Sequence, residues 1–276
     1  MCNSRVLVCV VGLSLMLWAG SASGALVNYW SCDAADAVGV GGTDVGDTIG
    51  GKTGVATGWW GSTDPSVRVP GATGVANSAA EVYSDAAVDN GGYLTQLLTL
   101  GTGTNFTFEA MFRFDSYGYR HGYLVWRGGG PIELNFRPEY GAYNVTAAIG
   151  GTFLFATNPV YALTAGTWYD IALTYDGTTA SLYVTPYSPT ATANLLQSVT
   201  MPGLTATHAT QGLGLGTGDD GKYGIDGAFD WAAVSNTALT PAEITTNIQR
   251  NSPIPEPATM GLLALGACLP LLRRRR

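Results

Sequence analysis

The stretch Trp168-Tyr-Asp-Ile-Ala-Leu-Thr-Tyr-Asp-Gly-Thr-Thr-Ala-Ser-Leu-Tyr-Val184 decides the fold class. Tyr169, Ile171, Leu173 and Tyr175 recur at period two, which is the spacing of side chains on one face of a strand. Asp176-Gly-Thr-Thr179 carries turn chemistry, and Ala180-Ser-Leu-Tyr-Val184 runs back. The segment therefore reads as a β-hairpin, with Pro186 and Pro189 marking the loop beyond it.

Other stretches repeat the pattern. In Asn105–Phe114, Phe106, Phe108, Ala110, Phe112 and Phe114 share one face, while Thr107, Glu109 and Arg113 share the other. That is the signature of a half-buried strand. Ile132, Leu134 and Phe136 alternate with polar neighbours. Tyr143, Val145, Ala147 and Ile149 follow, and Gly150-Gly151 turns the chain into Thr152–Phe155. Gly227–Val234 reads as a further strand. One helix is predicted, from a capping box: Thr240 at N-cap, Pro241 at N1 and Glu243 at N3, with Ile244 and Ile248 forming one apolar stripe. Residues 31–80 are rich in Gly, Asp and Thr and read as strands linked by long loops. Closely spaced strands, Gly-rich turns and no long helical pattern argue an all-β sandwich or barrel.

The two ends read differently from the middle. Arg5, the apolar run Val6–Trp18 and the small residues Gly20–Ala25 have the order of a secretory signal peptide, with cleavage expected near Gly24/Ala25. The alternative is an uncleaved anchor, for which the apolar run is short against a span of about 20 residues. Of the 13 basic residues, Arg5 and Arg273–Arg276 lie in the terminal segments; of the 20 acidic ones only Glu256 does. The domain between keeps a strong acidic excess, and only Lys52 and Lys222 supply lysine. No basic stripe exists to neutralise phosphates, which argues against a nucleic-acid partner. Cys2, Cys9 and Cys268 fall in the terminal segments, so Cys32 stands alone in the domain and packing must hold the fold. Cys32 is expected as a buried small apolar residue.

Three stretches together resemble LamG-like domains of the concanavalin A-like lectin/glucanase superfamily. Trp168–Thr179 with Leu182-Tyr-Val184 is similar to the family's "W-x-x-(I/V)-A-x-T-Y-D-G … L-Y-V" hairpin. Gly227-Ala-Phe-Asp230 with Ala238–Ile244 resembles its closing segment, and Phe106–Phe112 its early strand. The resemblance covers about Asn105 to Ile248 and implies two antiparallel sheets in a jelly-roll sandwich. Val184–Ala193 departs from the family's short turn with a longer loop, so a ligand surface there need not be shared.

The chain closes on Pro255-Glu256-Pro257, an apolar run from Ala258 to Leu272, and Arg273, Arg274, Arg275 and Arg276. This resembles a PEP-CTERM sorting signal. The resemblance implies recognition by an exosortase, a membrane transpeptidase, after signal peptidase has acted at the other end. It also implies export to a bacterial cell envelope or extracellular surface, with the tail cut near the motif. The resemblance further implies a C-terminal transmembrane helix: the apolar run can insert in the bilayer, and the arginines would keep its end cytoplasmic. A plain C-terminal anchor is the alternative. The resulting organisation is a signal helix over 1–24, a jelly-roll domain over 25–250 and a sorting tail over 251–276.

Candidate sites are few. The superfamily's glucanases use paired carboxylates on one strand, and no E-x-D-x-x-E or E-x-D-x-E run occurs. Glu109 and Asp115 are the nearest pair, at an even separation, with solvated or salt-bridged carboxylates as the competing reading. His121 and His208 have no triad context, so no catalytic residue is assigned and a non-enzymatic role is expected. Asp219, Asp220 and Asp226, on a Gly-rich loop, offer hard oxygen ligands that suit calcium, the one cofactor the sequence suggests; Asp-Asp-Gly is also ordinary turn chemistry. Tyr117, Tyr119, His121 and Tyr123 on one loop, and Trp59-Trp60 on another, are candidates to hold a sugar ring or simply pack the loops. Asp230 reads as structural, fixing the last strand to its neighbours. Three roles follow: a glycan- or protein-binding surface or matrix protein, a polysaccharide-degrading hydrolase or lyase of the same fold, or a purely structural matrix protein.

Overall fold

In the computed structural model the described residues are 26–33, 37–38, 44–57, 68–82, 92–97, 105–116, 122–126, 133–137, 144–149, 152–153, 163–201, 212–216 and 226–253. The first seven strands are β1 Leu26–Trp30, β2 Ala37–Val38, β3 Asp44–Val45, β4 Gly54–Thr57, β5 Arg68–Gly71, β6 Gly74–Val82 and β7 Gly92–Leu97. The next five are β8 Asn105–Ser116, β9 Gly122–Trp126, β10 Glu133–Arg137, β11 Asn144–Ile149 and β12 Thr152–Phe153. The chain continues through β13 Thr167–Asp176, β14 Thr179–Pro186, β15 Leu195–Thr200, β16 Gly212–Leu215 and β17 Asp226–Ser235 to the helix α1, Pro241–Arg250.

The expected hairpin is β13–β14, with Tyr175 opposite Ala180 and Ile171 opposite Val184. Asp176 closes its turn by accepting from the Thr178 and Thr179 N–H groups at 2.8 and 2.7 Å. These bonds satisfy donors that a tight turn would otherwise leave bare. On its other side β13 pairs with β8 along its length, from Thr167 opposite Phe114 to Asp176 opposite Asn105. The phenylalanine strand and the hairpin therefore lie side by side.

Among the described residues the strands form two antiparallel sheets. The first runs β15-β14-β13-β8-β17-β6-β5, and the second runs β12-β11-β10-β9-β16-β7-β4-β3-β2. Strand β17 serves two partners on one edge: β6 pairs with Gly227–Phe229 and β1 with Ala232–Ser235. The architecture is all-β and antiparallel with little helix, consistent with a jelly-roll-like lectin fold. One compact unit spans Gly24–Pro253.

The period-two faces land where the sequence places them. Phe106, Phe108, Phe112, Phe114, Tyr169, Ile171, Leu173, Tyr175, Phe229 and Val234 join one buried cluster with Trp30, Ala147 and Leu215. Phe112 and Phe229 meet at 5.0 Å between ring centroids, and Phe106 and Tyr175 at 5.9 Å. Each such side chain removes enough apolar surface from water to stabilise the fold by about 1.5–3 kcal/mol.

The other face of β8 differs from expectation. Thr107 and Glu109 are buried rather than solvated, because α1 and the segment leading into it cover that face. Thr107 Oγ1 donates to the Thr237 carbonyl and accepts the Leu239 N–H, both at 2.8 Å, which straps this segment to β8. A second, smaller cluster of Ala172, Tyr183, Leu239, Ile244 and Ile248 forms under the helix.

Candidate functional site

The C-terminal end of the domain is built by α1. Thr240 accepts the Glu243 N–H at 3.3 Å, and the Glu243 carboxylate accepts the Thr240 N–H at 2.8 Å, so the capping box closes as its residues predict. Pro241 occupies a position whose N–H would be orphaned anyway. The helix stops at Asn251, whose φ of 52° is left-handed, a conformation Asn tolerates better than most side chains.

Asn251 then locks the chain down. Its Nδ2 donates to Asp230 Oδ2 at 2.6 Å, and its Oδ1 accepts the Trp231 Nε1–H at 3.2 Å. Asp230 Oδ2 also accepts the Ala72 N–H at 3.0 Å, so one carboxylate oxygen joins β17, the β5–β6 turn and the helix cap. Asp230 thus has the structural placement its sequence context suggests. Tyr29 on β1 hydrogen-bonds Ser252; burial raises the pKa of its phenol, against the lowering effect of that bond. Pro253 is buried, and Pro255 follows two residues later.

The two carboxylates nearest to a glycosidase pair sit in unlike places. Glu109 is 1% exposed and lies beneath α1, where its Oε2 accepts the Asn247 Nδ2–H at 2.7 Å. Asp115 is near the end of β8 and takes three hydrogen bonds from Arg113, from Nε to Oδ1 at 2.8 Å and to Oδ2 at 3.1 Å, and from Nη2 to Oδ2 at 2.5 Å. Arg113 in turn stacks over the Trp168 ring at 5.6 Å. The group beside Glu109 is Asp170 from β13, fully buried and within hydrogen-bonding reach of it. Sequence reading missed Asp170; its signal was a lone carboxylate inside the apolar run of the hairpin. Burial raises the pKa of both groups, and in Asp170 the charge of Glu109 adds to the effect.

Asp47 was also missed. It accepts from Asn28 Nδ2 at 2.6 Å and from the N–H groups of Tyr29, Ile49, Gly50 and Lys52 at 3.0, 3.1, 2.9 and 2.8 Å. This one carboxylate organises the turn between β3 and β4 and fastens it to β1. Partial burial works to raise its pKa, but these donors outweigh that and hold it below the ordinary value.

The remaining predicted residues divide. Asp226 opens β17, opposite Ser116, whereas Asp219 and Asp220 lie outside the described residues. Tyr123 lies in β9, opposite Asn135, rather than in a loop: Tyr-Leu-Val-Trp is a run of strong strand formers. Tyr117, Tyr119, His121, Trp59, Trp60 and His208 lie outside the described residues. So do the signal segment and Pro255, Glu256, Pro257 and Arg273–Arg276. Cys32 is buried, with a left-handed φ of 57°. Among the described residues no three or more His, Cys, Asp or Glu side chains gather to hold a metal, and no helix is long and apolar enough to cross a membrane.

Comparison with known proteins bears on both parts of the chain. Residues 84–245 match the family described as the concanavalin A-like lectin/glucanases superfamily. Residues 253–276 match the PEP-CTERM protein-sorting motif, which marks an exported protein sorted to the envelope by an exosortase. No curated protein matches the chain. Among solved structures, it is similar to domain 4 of AbnA, a GH43 extracellular arabinanase from Geobacillus stearothermophilus in complex with arabinotriose. That match has a TM-score of 0.57 and 16% identity, and covers 82% of this chain and 100% of that one. The binding domain of botulinum neurotoxin serotype G aligns with a TM-score of 0.53 at 10% identity, covering 82% of this chain and 51% of that one. Trypanosoma rangeli sialidase in complex with the inhibitor DANA aligns at 0.51 and 14% identity, covering 89% of this chain and 38% of that one. At these identities the structural likenesses speak to the fold alone. The family match spans more than half the sequence: the chain belongs to the concanavalin A-like lectin/glucanases superfamily and ends in a PEP-CTERM sorting motif.

Proposed function

We propose that this is an exosortase-sorted surface or extracellular-matrix protein whose jelly-roll domain is a non-catalytic module binding a glycan or another extracellular polymer. The observation that carries the non-catalytic reading is the state of the two strand carboxylates. A glycosidase needs two carboxyl groups open to one sugar-binding cleft, roughly 5–10 Å apart. Glu109 is sealed beneath α1 and Asp115 is neutralised by Arg113. Domain 4 of AbnA, whose structure is of a complex with arabinotriose, supports an oligosaccharide as the ligand class to test first. Signal peptidase and exosortase are the processing partners of this reading, and the tail attaches the protein to the membrane during or after sorting. Calcium held by the loop around Asp219, Asp220 and Asp226 belongs to the same proposal.

The test is a glycan array probed with the purified protein, with and without calcium, followed by incubation of each bound glycan and reducing-end analysis. Binding without cleavage is the expected result. Cleavage that disappears in Glu109→Gln or Asp115→Asn would instead establish a polysaccharide-degrading enzyme. Neither binding nor cleavage would leave the purely structural role.

A further inference from the structure

Among the described residues no cation forms an ion pair with the carboxyl pair beneath α1. Glu109 and Asp170 are 1% and 0% exposed. Among the described residues, Glu109 Oε1 and both oxygens of Asp170 have no N–H or O–H donor. Two buried carboxylates in contact, with one amide between them as the only donor, would be a large uncompensated charge. A proton on one carboxyl group, donated to the other, would remove one of the two charges. The register brings them together, since Glu109 lies opposite Ala172 and Asp170 opposite Met111, a diagonal across the β8–β13 ladder.

We propose that Glu109 and Asp170 share one proton, that this proton seats α1 on the outer face of the sheet, and that the helix loosens when the pair loses it to solvent. The helix rests on Ile244, Ile248 and the Asn247–Glu109 bond. It contributes Glu243 as the nearest further charge, which disfavours ionisation of Glu109. Strand β14 presents Thr185 opposite Asp170 and Tyr183 opposite Ala172. Strand β17 presents Ala233 opposite Glu109 and Trp231 opposite Met111, beside Asp230, which holds Asn251. Along β8 the nearest cation is Arg113, which is committed to Asp115. Arg250, in the last turn of α1, is exposed, and among the described residues no cation forms an ion pair with either carboxyl group.

The direction follows from linkage. Burial raises both carboxyl pKa values above the ordinary 4.5 and 3.8. The stabilisation is therefore complete below those ordinary values and is lost as pH rises through the folded-state range. Asp170→Asn supplies an amide donor to Glu109 that needs no proton. Its Tm should exceed that of the wild type by about 3 °C or more at pH 9, with a smaller gain at pH 5. Amide exchange across α1 of the wild-type protein, corrected for intrinsic rates, should accelerate at least tenfold between pH 6 and pH 9, and the variant should not show this. Should Asp170→Asn not fold, Glu109→Gln and the wild-type exchange profile carry the test. A wild-type helix whose corrected exchange is unchanged between pH 6 and pH 9 overturns the proposal, as does a variant with the wild-type Tm profile.

Discussion

Asn251, in the left-handed cap of α1, gives its side-chain N–H to Asp230 of β17 at 2.6 Å, both residues being buried. This bond joins the last helix to the strand that pairs with β8, β6 and β1. Asp230→Ala removes the acceptor shared by Asn251 and the Ala72 N–H and leaves two donors wanting. The expected cost is roughly 2–4 kcal/mol, read from urea unfolding. Asn251→Gly loses the same bond and that of Trp231, but Gly adopts the left-handed φ of 52° at no steric cost, so it should lower stability less than Asp230→Ala.

Gly227 shows how tightly β17 lies on β8. A Cβ there would run into the Arg113 carbonyl and the Phe112 ring. The carbonyl belongs to a paired strand and has no room to yield. Gly227→Ala should therefore cost about 3 kcal/mol or more, at the upper end of overpacking effects. Thermal denaturation checks it; a Tm within a degree of wild type would contradict the close approach.

Thr240→Ala opens the capping box and should cost about 1 kcal/mol. The loss should appear as faster amide exchange in the first turn of α1, with the exchange of β13 unchanged.

Asp47 predicts behaviour at acid pH. Its folded-state pKa is held below 3.8 by the donors around it, so its contribution is present above that value and is lost as pH falls through the folded pKa. Asp47→Asn should be less stable than wild type at pH 7, and the difference should shrink at pH 2.5. This slope is opposite to that of the Glu109–Asp170 pair, which makes the two separable in one pH–Tm series.

The residues that the sequence made legible are those whose role is local. Phe106 to Phe114 and Tyr169 to Tyr175 announce their shared face by period alone, and Thr240-Pro-Ala-Glu243 announces its cap. Strand β15, Leu-Leu-Gln-Ser-Val-Thr, escaped because it lacks clean alternation; its side chains are largely exposed or half-buried. Strand β16, Gly-Leu-Gly-Leu, is too short and Gly-rich to read as a strand. Asp170 and Asp47 escaped for a different reason. Asp170 acquires its meaning only when register sets it beside Glu109 beneath a helix more than 60 residues further on. Asp47 acquires its meaning only when β1 lies against its turn. Polar residues of this kind are defined by long-range pairing, which a one-dimensional pattern does not carry. The burial of Glu109 was misread for the same reason, since the helix that covers it is remote in sequence.

The sorting tail is the central element of the proposed function. The direct measurement is fractionation, with intact-mass analysis, of the full chain and of a chain lacking Pro255–Arg276, both expressed in an exosortase-bearing host. The full chain is predicted in the envelope or surface fraction, and the truncated chain in a different one. If deletion changes neither the location nor the processing of the domain, the sorting assignment is contradicted.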